Sequence, residues 1–233
     1  MSLAVITGAS QGIGKAIAER FALVPHAQLC LLARSAANLD KVANNVRGLG
    51  AQARCFPVDV TDDEAVVHAA QRIQDSCGVP DVLVNNAGRF ETGSVLDTSP
   101  AAFRAQLEVN LTSAFVVTRA FLGRMVQRRQ GHVIYIASVA SKQAYAGAAA
   151  YCAAKHGLLG LARVVREEAK SHGVRVTTIL PGATMTPSWA GVPVEAERLM
   201  AAEDVARTVA GVCSLSSRAV VEEVLLRPQL GDI

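Results

Sequence analysis

At 233 residues and 24.4 kDa, with 51% hydrophobic residues, the chain suits one large α/β domain with a full core and not a disordered or disulfide-stapled mini-domain. A net charge of +3, with basic residues scattered apart from Arg128-Arg129, argues against a nucleic-acid partner. No Cys-x-x-Cys pair stands among the five cysteines, the five histidines lack metal-ligand spacing, and no uncharged apolar stretch reaches the ~18 residues that span a bilayer, so neither metal nor membrane is expected.

The apolar run over 3–7 reads as a strand. It leads into Thr7-Gly-Ala-Ser-Gln-Gly-Ile-Gly14 and then a helical pattern over 12–23 carried by Ile13, Ile17, Ala18 and Phe21. Glycines at 8, 12 and 14 allow a tight strand-to-helix turn, let backbone approach a pyrophosphate, and leave free amides at a positive helix end. Their spacing, Gly-x-x-x-Gly-x-Gly, differs from the Gly-x-Gly-x-x-Gly of the usual dinucleotide fingerprint. A second strand over 28–33 ends at Arg34, twenty residues after Gly14, where NAD-specific folds commonly carry an acid against the ribose 2′-hydroxyl. A guanidinium there suits a 2′-phosphate, so NADP is the favoured cofactor, with NAD the other possibility.

A helix over 37–49 and a strand over 53–60 follow. The latter ends in Asp59 and Val60, and the Asp59 carboxylate could accept from an adenine amino group or cap the helix over 62–76. The strand over 81–85 runs into Asn86-Ala87-Gly88, a long helix covers 100–128, and the strand over 132–138 ends in Ser138. The helix over 151–171 opens with Tyr151 and Lys155, the strand over 174–180 leads to Pro181-Gly182, and a helix over 202–215 precedes the last strand over 220–227.

Seven strands alternate with six helices, and most strands are apolar on both faces. That pattern predicts a doubly wound, seven-stranded parallel sheet, a Rossmann fold, as a single domain over 1–233. Ligands of such sheets lie beyond the carboxyl ends of the strands, where the glycine turn, Arg34, Asp59, Asn86, Ser138 and Pro181-Gly182 all fall. Of the three tyrosines only Tyr151 has a lysine four residues on. Helical spacing puts both on one face, where the ammonium is expected to lower the phenol's pKa. Cys152 and His156 are rotated off that face and read as structural.

Together Thr7 to Gly14, Asn85-Asn-Ala-Gly88, Asn110, Ser138, Tyr151, Lys155 and Pro181-Gly182 resemble the short-chain dehydrogenase/reductase family, over residues 3 to about 186. The resemblance implies that Gly8, Ser10, Gln11, Gly12, Ile13 and Gly14 surround the pyrophosphate and ribose. It also implies that Asn86, Ala87 and Gly88 pass along the adenine ribose, and that Pro181, Gly182, Thr184 and Thr186 contact the nicotinamide amide. Asn110 is implied to sit in a distorted helix whose main-chain carbonyl holds a water beside Lys155. Tyr151 is implied as the proton donor to a carbonyl oxygen, with Ser138 bonding that oxygen and Lys155 binding the nicotinamide ribose.

Three departures stand out from the family pattern. Gln11 replaces the common basic residue, so NADP preference rests on Arg34; the segment after Gly182 is short; and Val220–Pro228 does not resemble the ending of 3-oxoacyl carrier-protein reductases. A general carbonyl, serine-type or sepiapterin-type reductase is closer. Ala140, Gln143, Tyr145, Met185 and Trp189 are expected to wall the substrate pocket. The resemblance also implies a homodimer or homotetramer, and the strand-first start implies a cytoplasmic protein. The expected activity is hydride transfer between NADP(H) and a ketone, aldehyde or alcohol; an NAD-linked alcohol dehydrogenase and a non-catalytic nucleotide sensor are the alternatives.

Overall fold

β1 (Leu3–Thr7) is buried along its whole length in the computed structural model, which describes residues 2–231. Its alternate side chains explain the unbroken apolar run: Leu3 and Val5 enter one core, Ala4 and Ile6 the other. β2 (Gln28–Ala33) and β4 (Val82–Asn85) flank it in parallel. β3 (Gln52–Pro57), β5 (Gly131–Ile136), β6 (Val174–Pro181) and β7 (Glu223–Leu226) complete a seven-stranded parallel sheet of order β3-β2-β1-β4-β5-β6-β7. The fold expected from the sequence is therefore present, and of the single domain expected over 1–233, positions 1, 232 and 233 lie outside the described residues.

Helices cover both faces of the sheet. α1 (Gly12–Ala22), α2 (Ala36–Gly48) and α7 (Ala202–Ser214) bury Ile17, Phe21, Leu39 and Val205 on one side. α3 (Asp63–Cys77), α5 (Ser113–Arg128) and α6 (Ala149–Ala169) bury Ile73, Phe121, Met125 and Leu158 on the other. Ser35, Asp62 and Ser99 start α2, α3 and α4 (Pro100–Leu107) by accepting from backbone amides three residues on.

The expected helix over 100–128 is broken into α4 and α5 by a π turn at Glu108–Thr112. No proline or glycine marks the break. Asn110 sits inside it, buried, and its Nδ2 donates to the Gln106 carbonyl at 3.1 Å and to Gln106 Oε1 at 3.1 Å. This is where the family resemblance placed a distortion. β3 ends at Pro57, three residues short of the expected strand end, although Val58 and Val60 remain buried.

Candidate active site

The turn from β1 to α1 is built around close backbone approach. Gly8 has φ +64°, and a Cβ there would lie 2.8 Å from Asn86 Nδ2 and 2.9 Å from Ala87 Cα. At Gly14 a Cβ would run into the Gly8 carbonyl, which requires glycine for packing alone. Gln11, at the start of α1, makes no side-chain capping bond, so the first amides of an eleven-residue helix face the cleft uncapped.

Thr7 joins this turn to the end of β4. Its buried hydroxyl donates to the Val84 carbonyl at 3.2 Å and accepts from the amides of Asn86 (3.0 Å) and Ala87 (3.1 Å). Asn86 Nδ2 returns bonds to the carbonyls of Thr7 (2.9 Å) and Gly8 (3.2 Å). The floor of the cleft is thus locked by two side chains. Sequence reasoning took Thr7 only as the start of the glycine motif.

A cavity of about 740 Å³ runs over this floor and along the carboxyl ends of the strands. Gly8, Ser10, Gln11, Gly12 and Ile13 line it at the turn, and Arg34, Asp59 and Val60 line it at the ends of the next two strands. Asp59 does not cap α3, a task taken by Asp62; instead its Oδ1 accepts from the amide and hydroxyl of Thr61 at 3.0 and 2.8 Å. The amide bond from Thr61 chiefly, with help from the Arg34 and Arg89 guanidiniums, holds its carboxyl below the usual range.

The far end of the same cavity holds the phenol, ammonium and amide groups expected from the sequence. Asn86, Ala87, Gly88, Asn110, Tyr151, Lys155 and Thr186 line it there. Ser138, two residues past β5, accepts from the Ala140 amide at 3.1 Å and hydrogen-bonds the Tyr151 phenol. Lys155 is buried, its Nζ donating to the Ile136 carbonyl at 3.1 Å and standing 5.6 Å from the centre of the Tyr151 ring. Asn110 brackets the backbone of Arg89, accepting from its amide at 3.2 Å and donating to its carbonyl at 2.9 Å.

The acidity expected of Tyr151 is not what this geometry gives. Burial pushes the phenol's pKa up, against the Ser138 bond that favours its ionised form. Burial also pulls the Lys155 ammonium down to about 8, which leaves it charged at neutral pH. Tyr151 therefore holds its proton at neutral pH, the form an acid needs.

Gly14, Ser138, Pro181, Gly182 and Thr184 stand behind the cavity wall rather than on it. Gly182 donates its amide to Leu226 at 2.8 Å and Thr184 its hydroxyl to the Gly182 carbonyl at 2.9 Å, which shapes the segment leading to Thr186. The residues expected to wall the substrate pocket lie outside this lining. None of Ala140, Gln143, Tyr145, Met185 or Trp189 lines the cavity. Ala140 and Tyr145 pack with Ala148 and Cys152 beside α6, and Gln143 accepts from Arg227 at 3.0 Å. In their place stand Phe90, Ala105, Glu108, Val109, Pro187 and Ser188. Sequence reasoning also missed Asn38, in the first turn of α2, where its amide donates to the Ser35 hydroxyl at 3.3 Å.

Residues 2–196 match the family model described as short chain dehydrogenase. The chain belongs to that family. Among curated short chain dehydrogenases it is 37% identical to a sepiapterin reductase of Chlorobaculum tepidum, over 98% of this chain and 97% of that one. A metagenomic short-chain oxidoreductase solved in complex with NADP is 34% identical and superposes with a TM-score of 0.87, over 98% of this chain and 97% of that one. An alcohol dehydrogenase of the archaeon Thermococcus sibiricus, complexed with 5-hydroxy-NADP, is 28% identical with a TM-score of 0.93, over 100% of this chain and 99% of that one.

The donor set of the short chain dehydrogenase cleft fits a phosphate-bearing dinucleotide. The glycine turn leaves a cradle that a Cβ at Gly8 would fill, α1 offers free amides to a pyrophosphate, and Arg34 supplies a cation at the second strand end.

Proposed function

We propose that the protein is an NADPH-dependent reductase of ketones or aldehydes, with Tyr151 as its proton donor. One observation carries the reading: a phenol, bonded to Ser138 and one helical turn before a buried lysine, lines the same cavity as the glycine turn and Arg34. When bound, the dinucleotide supplies the hydride.

The chain's own residues do the rest. The α1 amides, Gly8 and Gly12 hold the pyrophosphate, Arg34 grips the 2′-phosphate, and Thr186 reaches the nicotinamide end. Tyr151, held by its bond from Ser138, hydrogen-bonds the substrate's carbonyl oxygen. As negative charge grows on that oxygen, the Tyr151 O–H bond breaks and its proton passes to it, leaving phenolate on Tyr151. The bond from Ser138 and the Lys155 ammonium stabilise that phenolate. With its pKa brought to about 8, Lys155 can give up a proton near neutrality and so reload the tyrosine. Asn110 holds the π turn and the Arg89 backbone in place beside Gly88, where an added Cβ would lie 2.6 Å from its Oδ1 and 3.7 Å from Lys155 Nζ.

The same reading takes the protein as a homodimer or homotetramer in the cytoplasm. Phe115 on α5 and Val164 on α6 are about half exposed, and the five cysteines stand as free thiols, in keeping with a reducing compartment. The test is oxidation of NADPH and of NADH, followed by nicotinamide absorbance, across a panel of diketones, aldehydes and 3-oxoacyl thioesters. Turnover with a carbonyl compound and a preference for NADPH is expected; a protein that binds NADPH but reduces none of the panel would overturn the reading.

A further inference from the structure

Cys30 and Cys77 bring sulfur against sulfur in the core between the sheet and α3, their Sγ atoms 3.7 Å apart and both thiols free. Cys30 lies in the middle of β2, where Val5 of β1 and Arg54 of β3 are its register partners, and Cys77 is the last residue of α3. Sheet pairing on one side and helix packing on the other hold the two thiols together in the folded chain. Cys55 and Cys213 pack against the opposite core and Cys152 beside α6, so among the described residues these are the two cysteines that share a core.

The two thiols differ in access. Cys30 is 1% exposed, and burial chiefly, with the Cys77 sulfur beside it, pushes its thiol well up. Cys77 is only partly buried, and its Sγ lies 3.5 Å from the Ser76 hydroxyl oxygen. Arg54 reaches the same end of α3, its Nη1 donating to the Ser76 carbonyl at 3.4 Å, so a cation stands beside the pair, where it favours a thiolate. An oxidant arriving from solvent meets Cys77 first, and Cys30 stands behind it to resolve the product.

We propose that Cys30 and Cys77 form a modification site, a dithiol that hydroperoxides convert to a disulfide tying β2 to α3. The Cys77 thiolate attacks one peroxide oxygen: the S–O bond forms, the O–O bond breaks, and the departing hydroxide takes up the proton the thiol gave to solvent, becoming water. Cys30 then attacks the sulfur of the Cys77 sulfenic acid. The S–S bond forms, the S–O bond breaks, and the leaving hydroxide carries off the Cys30 proton as a second water. Sulfur loses the electron pair that the peroxide gains. The chain closed by this bond contains Arg34, Asn38 and Asp59, so the link braces the part of the fold that carries the second and third strand ends to the cavity. Its stabilising effect comes chiefly from restricting the unfolded chain. Neither thiol takes part in hydride transfer, so the site stands whatever carbonyl the cleft accepts.

The test treats the reduced full chain with a small excess of hydrogen peroxide and follows thiol count, peptide linkage and Tm. Two of the five thiols should be lost, and peptide mass mapping without reductant should show Cys30 joined to Cys77. The Tm should rise by roughly 5–15 °C, the usual effect of a disulfide on a chain of this size, and dithiothreitol should reverse all three changes. Cys77→Ser, at a partly exposed position, should show neither the linkage nor the rise. Cys30→Ala should leave Cys77 at the sulfenic stage, where dimedone labels it; a folded Cys30→Ala protein without that label overturns the order of attack. An oxidised wild type in which Cys30 and Cys77 remain unlinked, or are linked to another cysteine or to a second chain, overturns the proposal. So does a Tm that fails to rise on oxidation, or that rises equally in Cys77→Ser.

Discussion

Replacing Thr7 by valine keeps the shape of a buried side chain and deletes one hydroxyl, which isolates the bonding that locks the floor of the cleft. The Thr7 hydroxyl accepts from the amides of Asn86 and Ala87, and no other acceptor stands in for it at those two donors. Each half-buried donor left unpaired costs at most about 1–3 kcal/mol, while the added methyl returns about 1 kcal/mol of apolar burial. The net loss should be about 1–5 kcal/mol, or roughly 2–20 °C in Tm for a chain of this size. Thr7→Ser keeps the hydroxyl and should lose less than about 1.5 kcal/mol, the cost of one buried methyl group. Thermal and urea unfolding of both variants supplies the numbers, and titration with NADPH reads whether the floor still holds a dinucleotide. A Thr7→Val loss below about 0.5 kcal/mol, within the scatter of ordinary surface substitutions, would refute the assigned role, as would a serine variant no more stable than the valine one.

Arg34→Asp should lower the NADPH-to-NADH ratio of kcat/KM by about 10- to 100-fold, the worth of charge-assisted bonds to a phosphate; an unchanged ratio would remove Arg34 from cofactor choice. His132 is buried, bonded through Nε2 to the Thr177 hydroxyl at 2.7 Å, and its pKa is pulled down to about 3, by burial first and by Arg175 second. The folded protein thus keeps His132 neutral while the unfolded chain binds a proton below its ordinary value of 6.5. Stability present above that value is lost as the pH falls from it towards 3, by up to about 1.4 kcal/mol per pH unit. Urea unfolding between neutrality and mild acid should show this slope in wild type and a shallower one in His132→Asn; equal slopes would mean that His132 is not the group responsible.

The sheet and the glycine turn were legible because their causes are local. Apolar runs of strand length separated by helical patterns leave few topologies, and glycines at 8, 12 and 14 answer a steric demand that the turn itself creates. The strand read to residue 60 ran past Pro57 because Val58 and Val60 stay buried after pairing stops, and hydrophobic pattern reports burial rather than hydrogen bonding. The π turn at Glu108–Thr112 has no proline or glycine to announce it, and only the family resemblance of Asn110 placed it. Spacing put Tyr151 and Lys155 on one helix face, but the balance between burial and charge that sets their acidity depends on three-dimensional surroundings. Which residues line the cavity beside the phenol was hidden for a similar reason. The Gly93–Ala148 bridge ties down the segment after Gly88, in which Phe90 meets the cavity, while Tyr145 packs with Ala140, Ala148 and Cys152.

The most direct measurement is the rate of hydride transfer in Tyr151→Phe, followed in a single turnover of NADPH with a carbonyl substrate that wild type reduces. The variant should melt as wild type does and bind NADPH as tightly, yet transfer hydride about 10²- to 10⁴-fold more slowly, the usual worth of a positioned acid. A folded, NADPH-binding Tyr151→Phe protein that reduces the carbonyl at the wild-type rate would contradict the assignment of this phenol as the proton donor.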